Sequence, residues 1–237
     1  MDRDLVLAEF DRQIRRAEGE VLIEDDWAGV VATDLDETTA DAAIAGHVAR
    51  FAALHREWEW KHYSYDQPAD LADRLLAAGF TPEPTEALLV AAIDELPTHA
   101  ALPPGTELVP VTDAEAAAMF VKVHDEVFGG DYAAVGRKLL EDKENQRGFV
   151  VLAGGVPISC ARVEFHRGTD FASLWGCGTL KQWRGRGLFR ALVAHGTKLA
   201  ADRGFRYFQA DASDDSSPIL QRLGFVLLAT TTPFIHP

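Results

Sequence analysis

The chain has 237 residues, of which 47% are hydrophobic and 25% are charged, and its formal net charge is −14. This composition is typical of a globular protein with a full core, and the acidic balance argues against a general nucleic-acid-binding protein because phosphate backbones repel it. The charged start MDRDLVLAEFDRQIRR and the lack of a long apolar run exclude a secretory signal and a membrane span, so we expect a cytoplasmic protein without a nucleic-acid or membrane partner.

In the first half, the hydrophobic pattern predicts alternating helices and short strands. In chain order they are a helix at 3–18, strands near 20–24 and 28–33, a helix at 39–55, a strand through EWKHYSY, a helix at 68–78 and the strand ALLVAAI. Three prolines and a glycine in DELPTHAALPPGT then indicate a break. We therefore expect an N-terminal domain at 1–96, a linker at 97–106 and a C-terminal domain at 107–237.

The second half begins with a predicted strand near 107–110 and a helix that Thr112 or Asp113 can cap. The elements expected after it are a helix at 131–144, the hairpin strands GFVVLAG and PISCARVEF, the strand FASLWGCGTL, a helix from Leu188, the strand RYFQADA, a short helix from Pro218 to Leu223 and closing strands through VLLATTTPFI. This order predicts an α+β fold with a mixed sheet.

The two halves share a weak internal repeat at a constant offset of 145 residues. It aligns Asp66 with Asp211, Leu75 with Leu220 and Gly79-Phe80 with Gly224-Phe225, and it aligns the basic, glycine-containing turn of the second half with the acidic LDETTADAA of the first half. Acids in that position cannot hold an anionic ligand. The repeat therefore indicates duplication with a degenerate first copy, with chance similarity as the alternative.

The turn KQWRGRGLFR at 181–190 is locally cationic in this acidic chain. Seven Lys or Arg and one acid, Asp202, lie between Lys181 and Arg206. Two glycines before a helix expose backbone N–H groups where the helix dipole favours anions, and neighbouring arginines add charge-assisted bonds. The alternative is a plain basic turn. The dinucleotide-binding fingerprint does not fit, because its third glycine would fall on Arg190.

The run GTLKQWRGRGLFRALV, the following basic helix, the strand YFQADA and the ending SPILQRLGF resemble the core of the GNAT superfamily of acyl-CoA-dependent N-acyltransferases. The resemblance covers roughly residues 106–237 and implies a GNAT-like fold, with a degenerate GNAT-like copy before it. The family's loop pattern fits in two registers, starting at Gln182 or at Arg184. The second register gives the better helix phase, and both use the same loop.

This resemblance implies acetyl-CoA as co-substrate and a cofactor-binding strand and turn. Backbone groups of the strand end would pair with the pantetheine arm, and amides of the turn would bind the pyrophosphate with support from two arginines. The implied binding residues are Cys177, Gly178, Thr179, Arg184, Gly185, Arg186, Gly187, Leu188, Phe189, Arg190 and Ser213. No spacing of Cys, His or carboxylates indicates a metal site, and the two cysteines, Cys160 and Cys177, are expected to be reduced.

Acyl transfer to an amine needs a base, a polarised carbonyl and a stabilised thiolate. By resemblance, the backbone near Thr179 polarises the carbonyl. Leu220 stands where many members of the family have a proton-donating tyrosine, so Ser216, Ser217 or water would have to protonate the thiolate. Two candidate bases are present, Glu164 and Asp211. Strand alternation places Glu164 between Arg162 and His166 on one face, which is either an active-site wall or a solvated face. Asp211 has a counterpart in the first copy, which favours a turn or cap residue.

We therefore expect an N-acetyltransferase that passes an acetyl group directly to an amine in a ternary complex. A cysteine nucleophile at Cys177 is disfavoured because no His lies near it in sequence. The alternative is a non-catalytic acyl-CoA-binding or regulatory module. The acceptor is a small amine or a peptide N-terminus, and the resemblance also allows a homodimer.

Overall fold

The computed structural model describes residues 1–17, 19–24 and 27–237. The chain folds as two compact units, the first formed by Met1–Leu89, Asp211–Gln221 and Val226–Pro237, and the second by Val90–Ala210 and Arg222–Phe225. The division expected from the sequence, at 97–106, stays a prediction. In the observed units, residues 90–106 belong to the second unit, and Asp211–Gln221 and Val226–Pro237 belong to the first.

The described residues form a mixture of helices and strands. In chain order these are α1 (Arg3–Phe10), β1 (Val21–Ile23), β2 (Ala28–Val30), α2 (Ala40–Phe51), β3 (Trp58–Tyr63), α3 (Leu71–Ala77), β4 (Thr81–Pro82), β5 (Glu86–Ala92), β6 (Thr106–Pro110), α4 (Ala114–Phe128), α5 (Ala133–Glu141), β7 (Gln146–Ala153), β8 (Val156–Phe165), β9 (Phe171–Thr179), α6 (Leu188–Ala201), β10 (Tyr207–Ala212), α7 (Ser217–Arg222) and β11 (Val226–His236). The α+β mixture expected from the sequence is confirmed.

The sheet of the first unit is built from short strands and the long β11. Strand β2 runs antiparallel to β1 and parallel to β3, while β11 runs antiparallel to both β3 and β4. The core lies between this sheet and α2, where the Trp58 ring stacks on Phe51 with ring centroids 4.2 Å apart. Stacked aromatic pairs of this kind add to the hydrophobic stabilisation.

Two buried ion pairs also lie in the first unit. Arg15 donates to both carboxylate oxygens of Asp66, at 2.7 and 2.9 Å, with both side chains almost fully buried. Lys61 donates to Asp211, whose side chain is only 1% exposed. The repeat-related Asp66 and Asp211 thus both neutralise an inward-facing cation.

Other repeat-related positions have matching environments. Leu75 and Leu220 are both buried, and Gly79 and Gly224 both have positive φ.

The sheet of the second unit has the order β10-β9-β8-β7-β6 and is mixed. Strands β6 to β9 pair antiparallel in succession, and β10 pairs parallel to β9. Helices α4 and α5 cover one face through a cluster that includes Phe120, Leu139 and Cys160. Helix α6 covers the other face, where Gly196 lets it approach Val163 closely.

Two sequence-based elements differ from the structure. The helix expected at 3–18 is α-helical only to Phe10 and continues as a π-helical turn over Asp11–Arg15, while Glu18 lies outside the described residues. The wider turn coincides with the inward Arg15 side chain, which reaches Val31 O as well as Asp66. The closing segment, expected to hold several strands, forms the single strand β11.

The buried pair of Lys61 and Asp211 gives a stability prediction. Substitution Lys61→Ala leaves the Asp211 carboxylate buried without its cation and is expected to lower the free energy of unfolding by about 3–5 kcal/mol. Urea denaturation followed by tryptophan fluorescence, to which Trp58 and Trp60 contribute, measures this loss.

The control is Lys198→Ala, whose partner Asp202 is 58% exposed. It should change the free energy by less than about 1 kcal/mol. Replacement of the whole pair, Lys61→Met/Asp211→Leu, should recover most of the stability. Equal effects of the two single substitutions would contradict the structural role of the buried pair.

Candidate active site

The turn between β9 and α6 leaves a run of backbone amides open. Gly185 and Gly187 have φ of 76° and 85°, and Gly187 precedes the first residue of α6. Within the described ranges, the amides from Gly185 to Arg190 donate no hydrogen bond to the protein; the first amide of this helix that does is that of Ala191, to Gly187 O. A Cβ added to either glycine would meet open space. This is the arrangement that binds oxyanions at helix starts.

Two arginines flank these amides without occupying them. Arg184 Nε donates to Thr179 O at 3.1 Å, and Arg186 donates to Gln182 O at 3.3 Å while its guanidinium lies 4.6 Å from the Trp183 ring centroid. Both contacts involve groups that precede the turn. The guanidinium groups therefore add positive charge beside the amides and leave the N–H groups accessible.

In the described part of the chain, the strand that leads into the turn has one edge without a neighbouring strand over much of its length. Pairing between β9 and β10 covers Phe171–Ser173, whereas β9 continues to Thr179. A bulge follows, because Cys160 pairs with Gly178 and Arg162 pairs with Trp175, so that two residues of β9 oppose one of β8. The predicted residue Cys177 thus belongs to the bulge, and Gly178 and Thr179 lie between the bulge and the open amides.

Glycine is required at the bulge for two reasons. Gly176 has a φ of 56°, and a Cβ placed there would lie 2.6 Å from His124 Nε2. The His124 ring also contacts Phe120, Phe128 and Tyr132. Burial, with the charge of Arg162 as a second cause, lowers the pKa of His124 to about 4. The imidazole is therefore neutral at physiological pH.

The thiols near the bulge are poor nucleophiles. Burial raises the pKa of Cys160 to about 12 and the pKa of Cys177 well above its usual range. Because the thiolate is the nucleophilic form, both side chains are unreactive at neutral pH.

A polar face extends from the bulge along β8 and β9. The alternation expected from the sequence is present, since Arg162, Glu164 and His166 are half-buried while the residues between them are buried. Glu164 pairs with Ser173 in register, and the Ser173 hydroxyl donates to Gln209 Oε1 at 2.6 Å. The same Ser173 oxygen lies 2.7 Å from His166 Nε2. Because the single hydroxyl hydrogen of Ser173 is directed to Gln209, His166 Nε2 is the donor in this contact.

The remaining predicted site residues belong to the first unit. Asp211 is paired with Lys61, and the Ser213 and Ser216 hydroxyl oxygens lie 3.2 Å apart. Leu220 is 2% exposed. The catalytic and binding roles given to these residues, and to Glu164 and residues 177–190, stay predictions.

The corresponding turn of the first unit is already occupied by its own carboxylate. Asp36 Oδ1 accepts from the amides of Thr38 and Thr39 at 2.8 and 2.9 Å, just before α2. Hydrogen bonds from the Thr38 side chain and amide, and from Thr39, lower the pKa of Asp36 to about 2. An ionised group therefore satisfies these amides, in contrast with the open amides before α6.

A segment of the chain matches a known protein family. Residues 117–225, slightly less than half of the chain, match the profile of the acetyltransferase (GNAT) family. The turn before α6 and the diverging strands β9 and β10 both lie within it, and the fold expected from the resemblance is confirmed. No curated protein sequence matches the chain.

Solved structures with the same fold extend over both units. A GCN5-related N-acetyltransferase from Kribbella flavida has a TM-score of 0.72 at 20% identity, over 99% of this chain and 94% of that one. A tandem GNAT protein from the clavulanic acid biosynthesis pathway has a TM-score of 0.65 at 16% identity, over 91% of this chain and 77% of that one. A conserved protein of unknown function from Staphylococcus epidermidis gives 0.67 at 13% identity, over 95% and 96% of the two chains. At these identities the similarity concerns the fold.

A cavity of about 530 Å³ lies away from the open amides, at the other end of β9. It is lined by residues around the β8–β9 turn and the end of α6, including Arg147, Arg167 and Arg203. Among the described residues, no cluster of three or more His, Cys, Asp or Glu is placed to hold a metal ion. No helix of the described chain is long and apolar enough to cross a membrane.

Sequence reasoning missed the contact of His124 with Gly176 and the hydrogen-bonded chain through Ser173 and Gln209. The only signal for the bulge was the Gly176-Cys177-Gly178 run inside a strand, since glycine in a strand often indicates a bulge. No local pattern signals a contact between Gly176 and a histidine more than fifty residues earlier in the chain.

The bulge gives a second stability prediction. Substitution Gly176→Ala puts a side chain at positive φ against the His124 ring, and we expect a loss of about 1–3 kcal/mol in the free energy of unfolding. The control is Gly46→Ala in the exposed part of α2, where the new Cβ meets no atom within 4 Å. Alanine should stabilise that helix by up to about 1 kcal/mol. If Gly176→Ala were neutral in urea denaturation, the bulge geometry would be wrong.

Proposed function

We propose that this protein is an N-acetyltransferase that uses acetyl-CoA and acetylates an amine directly in a ternary complex. The observation that carries the proposal is the run of open amides from Gly185 to Arg190, flanked by Arg184 and Arg186, in the segment that matches the GNAT profile. A pyrophosphate supplies the oxyanions that such amides and guanidinium groups bind. The free edge of β9 at Cys177–Thr179 offers amide and carbonyl partners to a pantetheine arm.

The proposed reaction is a direct acyl transfer. The amine nitrogen attacks the thioester carbonyl carbon, the carbon–sulfur bond breaks, and its electron pair leaves on the thiolate of coenzyme A. The nitrogen loses its extra proton to a base, and the thiolate takes up a proton from solvent. A backbone N–H near Thr179 polarises the carbonyl.

We assign the role of base to Glu164 rather than to Asp211. Glu164 is half-buried on the polar face that leads to the bulge, whereas Asp211 is held in a buried ion pair with Lys61. Leu220 cannot donate a proton, so a side-chain acid at that position plays no part. Ser216 stays a weaker candidate for helping the thiolate, since its hydroxyl already donates to Ser213 O at 3.3 Å.

Binding of acetyl-CoA tests the first step. In calorimetric titrations, Arg184→Ala/Arg186→Ala should raise the Kd for acetyl-CoA by about 10- to 100-fold, because two charge-assisted contacts are lost. The matched control is Arg167→Ala/Lys198→Ala, which removes the same charge from two exposed residues of the same unit. Absence of binding to the unmodified protein, or equal losses in both variants, would contradict the assignment of the turn.

Release of free thiol from acetyl-CoA with a panel of amines tests the chemistry. Substitution Glu164→Gln should lower kcat by about 10²- to 10⁴-fold and leave the Kd for acetyl-CoA unchanged, because a base acts after binding. Glu141→Gln, an exposed residue near the end of α5, is the control and should leave kcat unchanged. Tight binding of acetyl-CoA without thiol release on any amine would instead identify a non-catalytic binding module, the function favoured by the missing acid at Leu220.

A further inference from the structure

Arg162 is a half-buried cation that forms no ion pair with the residues that the structure describes. It lies on β8, and its Nε is buried with no hydrogen-bond partner in the described part of the chain. None of the ion pairs among the described residues includes its guanidinium. A charged group removed from water without a partner is costly, so such groups in proteins are normally paired.

Two ionisable groups, Glu164 and His124, lie close to Arg162. Burial lowers the pKa of the guanidinium, and the opposing effect of Glu164, two residues along the same strand face, is smaller. The neighbouring His124 is neutral, because its own pKa is lowered to about 4. His124 therefore adds no charge beside Arg162, and Glu164 lies on the same strand face without forming an ion pair with Arg162 in the described structure.

Arg162 also lies beside the place where the proposed reaction occurs. It pairs in register with Trp175, the last residue before the bulge, and its Cζ is 5.9 Å from the centroid of the Trp175 ring. Glu164, the proposed base, is its neighbour on the same face of β8. A cation at this point is in reach of an acceptor held between the bulge and Glu164.

We propose that Arg162 binds the carboxylate of the acceptor, so that the substrate is an amino acid rather than a simple amine. This inference rests on the proposed function. Arg162 and Glu164 project from one strand face about 6.8 Å apart along the strand. The carboxylate of the acceptor binds the Arg162 guanidinium, its amino group points toward Gly178 and Thr179, and Glu164 takes up the amine proton through a water molecule. A planar guanidinium favours carboxylates because it forms two parallel hydrogen bonds.

Matched acceptors test the proposal on the full chain with acetyl-CoA. The panel contains the free amino acids, their carboxamides and the amines that result from decarboxylation, which differ only at the carboxylate. We expect kcat/KM to be at least tenfold higher for an amino acid than for its two analogues. Equal or better rates with the carboxamides or the decarboxylated amines would overturn the assignment.

Two variants separate recognition from a structural role. Arg162→Gln should raise the KM for the amino acid by about 10- to 100-fold and bring it to the level of the carboxamide, with the KM for acetyl-CoA unchanged. Arg162→Lys keeps the charge but loses the paired donors of the guanidinium. Its KM for the amino acid should therefore lie between the values for the unmodified protein and for Arg162→Gln. Arg167→Gln, at an exposed position beyond the end of β8, is the control. A parallel loss of rate with amino acid and carboxamide would show that Arg162 only supports the fold.

Failure of the proposed function has a different signature. If no amine supports thiol release, binding of the amino acids in the presence of coenzyme A is measured by calorimetry. If the amino acids bind, their carboxamides do not, and binding is lost in Arg162→Gln, the Arg162 site is supported and the enzymatic function is rejected. No binding of any amino acid would overturn the site itself.

Discussion

The availability of backbone amides at a helix start is the constraint on which the rest of this structure depends. A helix begins with N–H groups that lack partners within the helix, and the helix dipole favours an anion as their partner. Before α2, the anion is part of the chain, because Asp36 accepts from the amides of Thr38 and Thr39. Before α6, glycines replace such a residue and the amides from Gly185 onward stay open. In the first unit the Asp36 carboxylate occupies the amides of this turn, whereas in the second unit the amides are accessible to an external anion.

The open edge of β9 follows from a second local constraint, the early end of pairing between β9 and β10. Beyond Ser173, one edge of β9 has no neighbouring strand in the described second unit, and the bulge at Gly176–Cys177 changes which groups point to each side. Positive φ at Gly176 and the close His124 ring hold that bulge in place. Because burial lowers the pKa of His124, its ring is neutral and supports the bulge without adding charge beside it.

The sequence predicted those features that depend on neighbours along the chain. Glycines, arginines and the helical spacing after Leu188 were enough to locate the turn, and period-two alternation placed Glu164 beside Arg162 and His166. Contacts between distant residues were not predictable, such as Lys61 with Asp211, which are 150 residues apart. The pairing of β11 with β3 was equally hidden, since no local pattern indicates that the last strand packs in the first unit.

The two inward-facing cations Lys61 and Arg162 show how a structural charge differs from one that is available to a ligand. Lys61 and Asp211 neutralise each other, and the pair is complete within the protein. The internal repeat had already favoured a structural role for Asp211, and Asp66 makes the same kind of pair with Arg15. Arg162 is likewise half-buried, but in the described part of the chain it forms no ion pair with a carboxylate. A charge that is removed from water without a partner destabilises the folded protein. We therefore expect the group that compensates Arg162 to belong to a molecule that the protein binds.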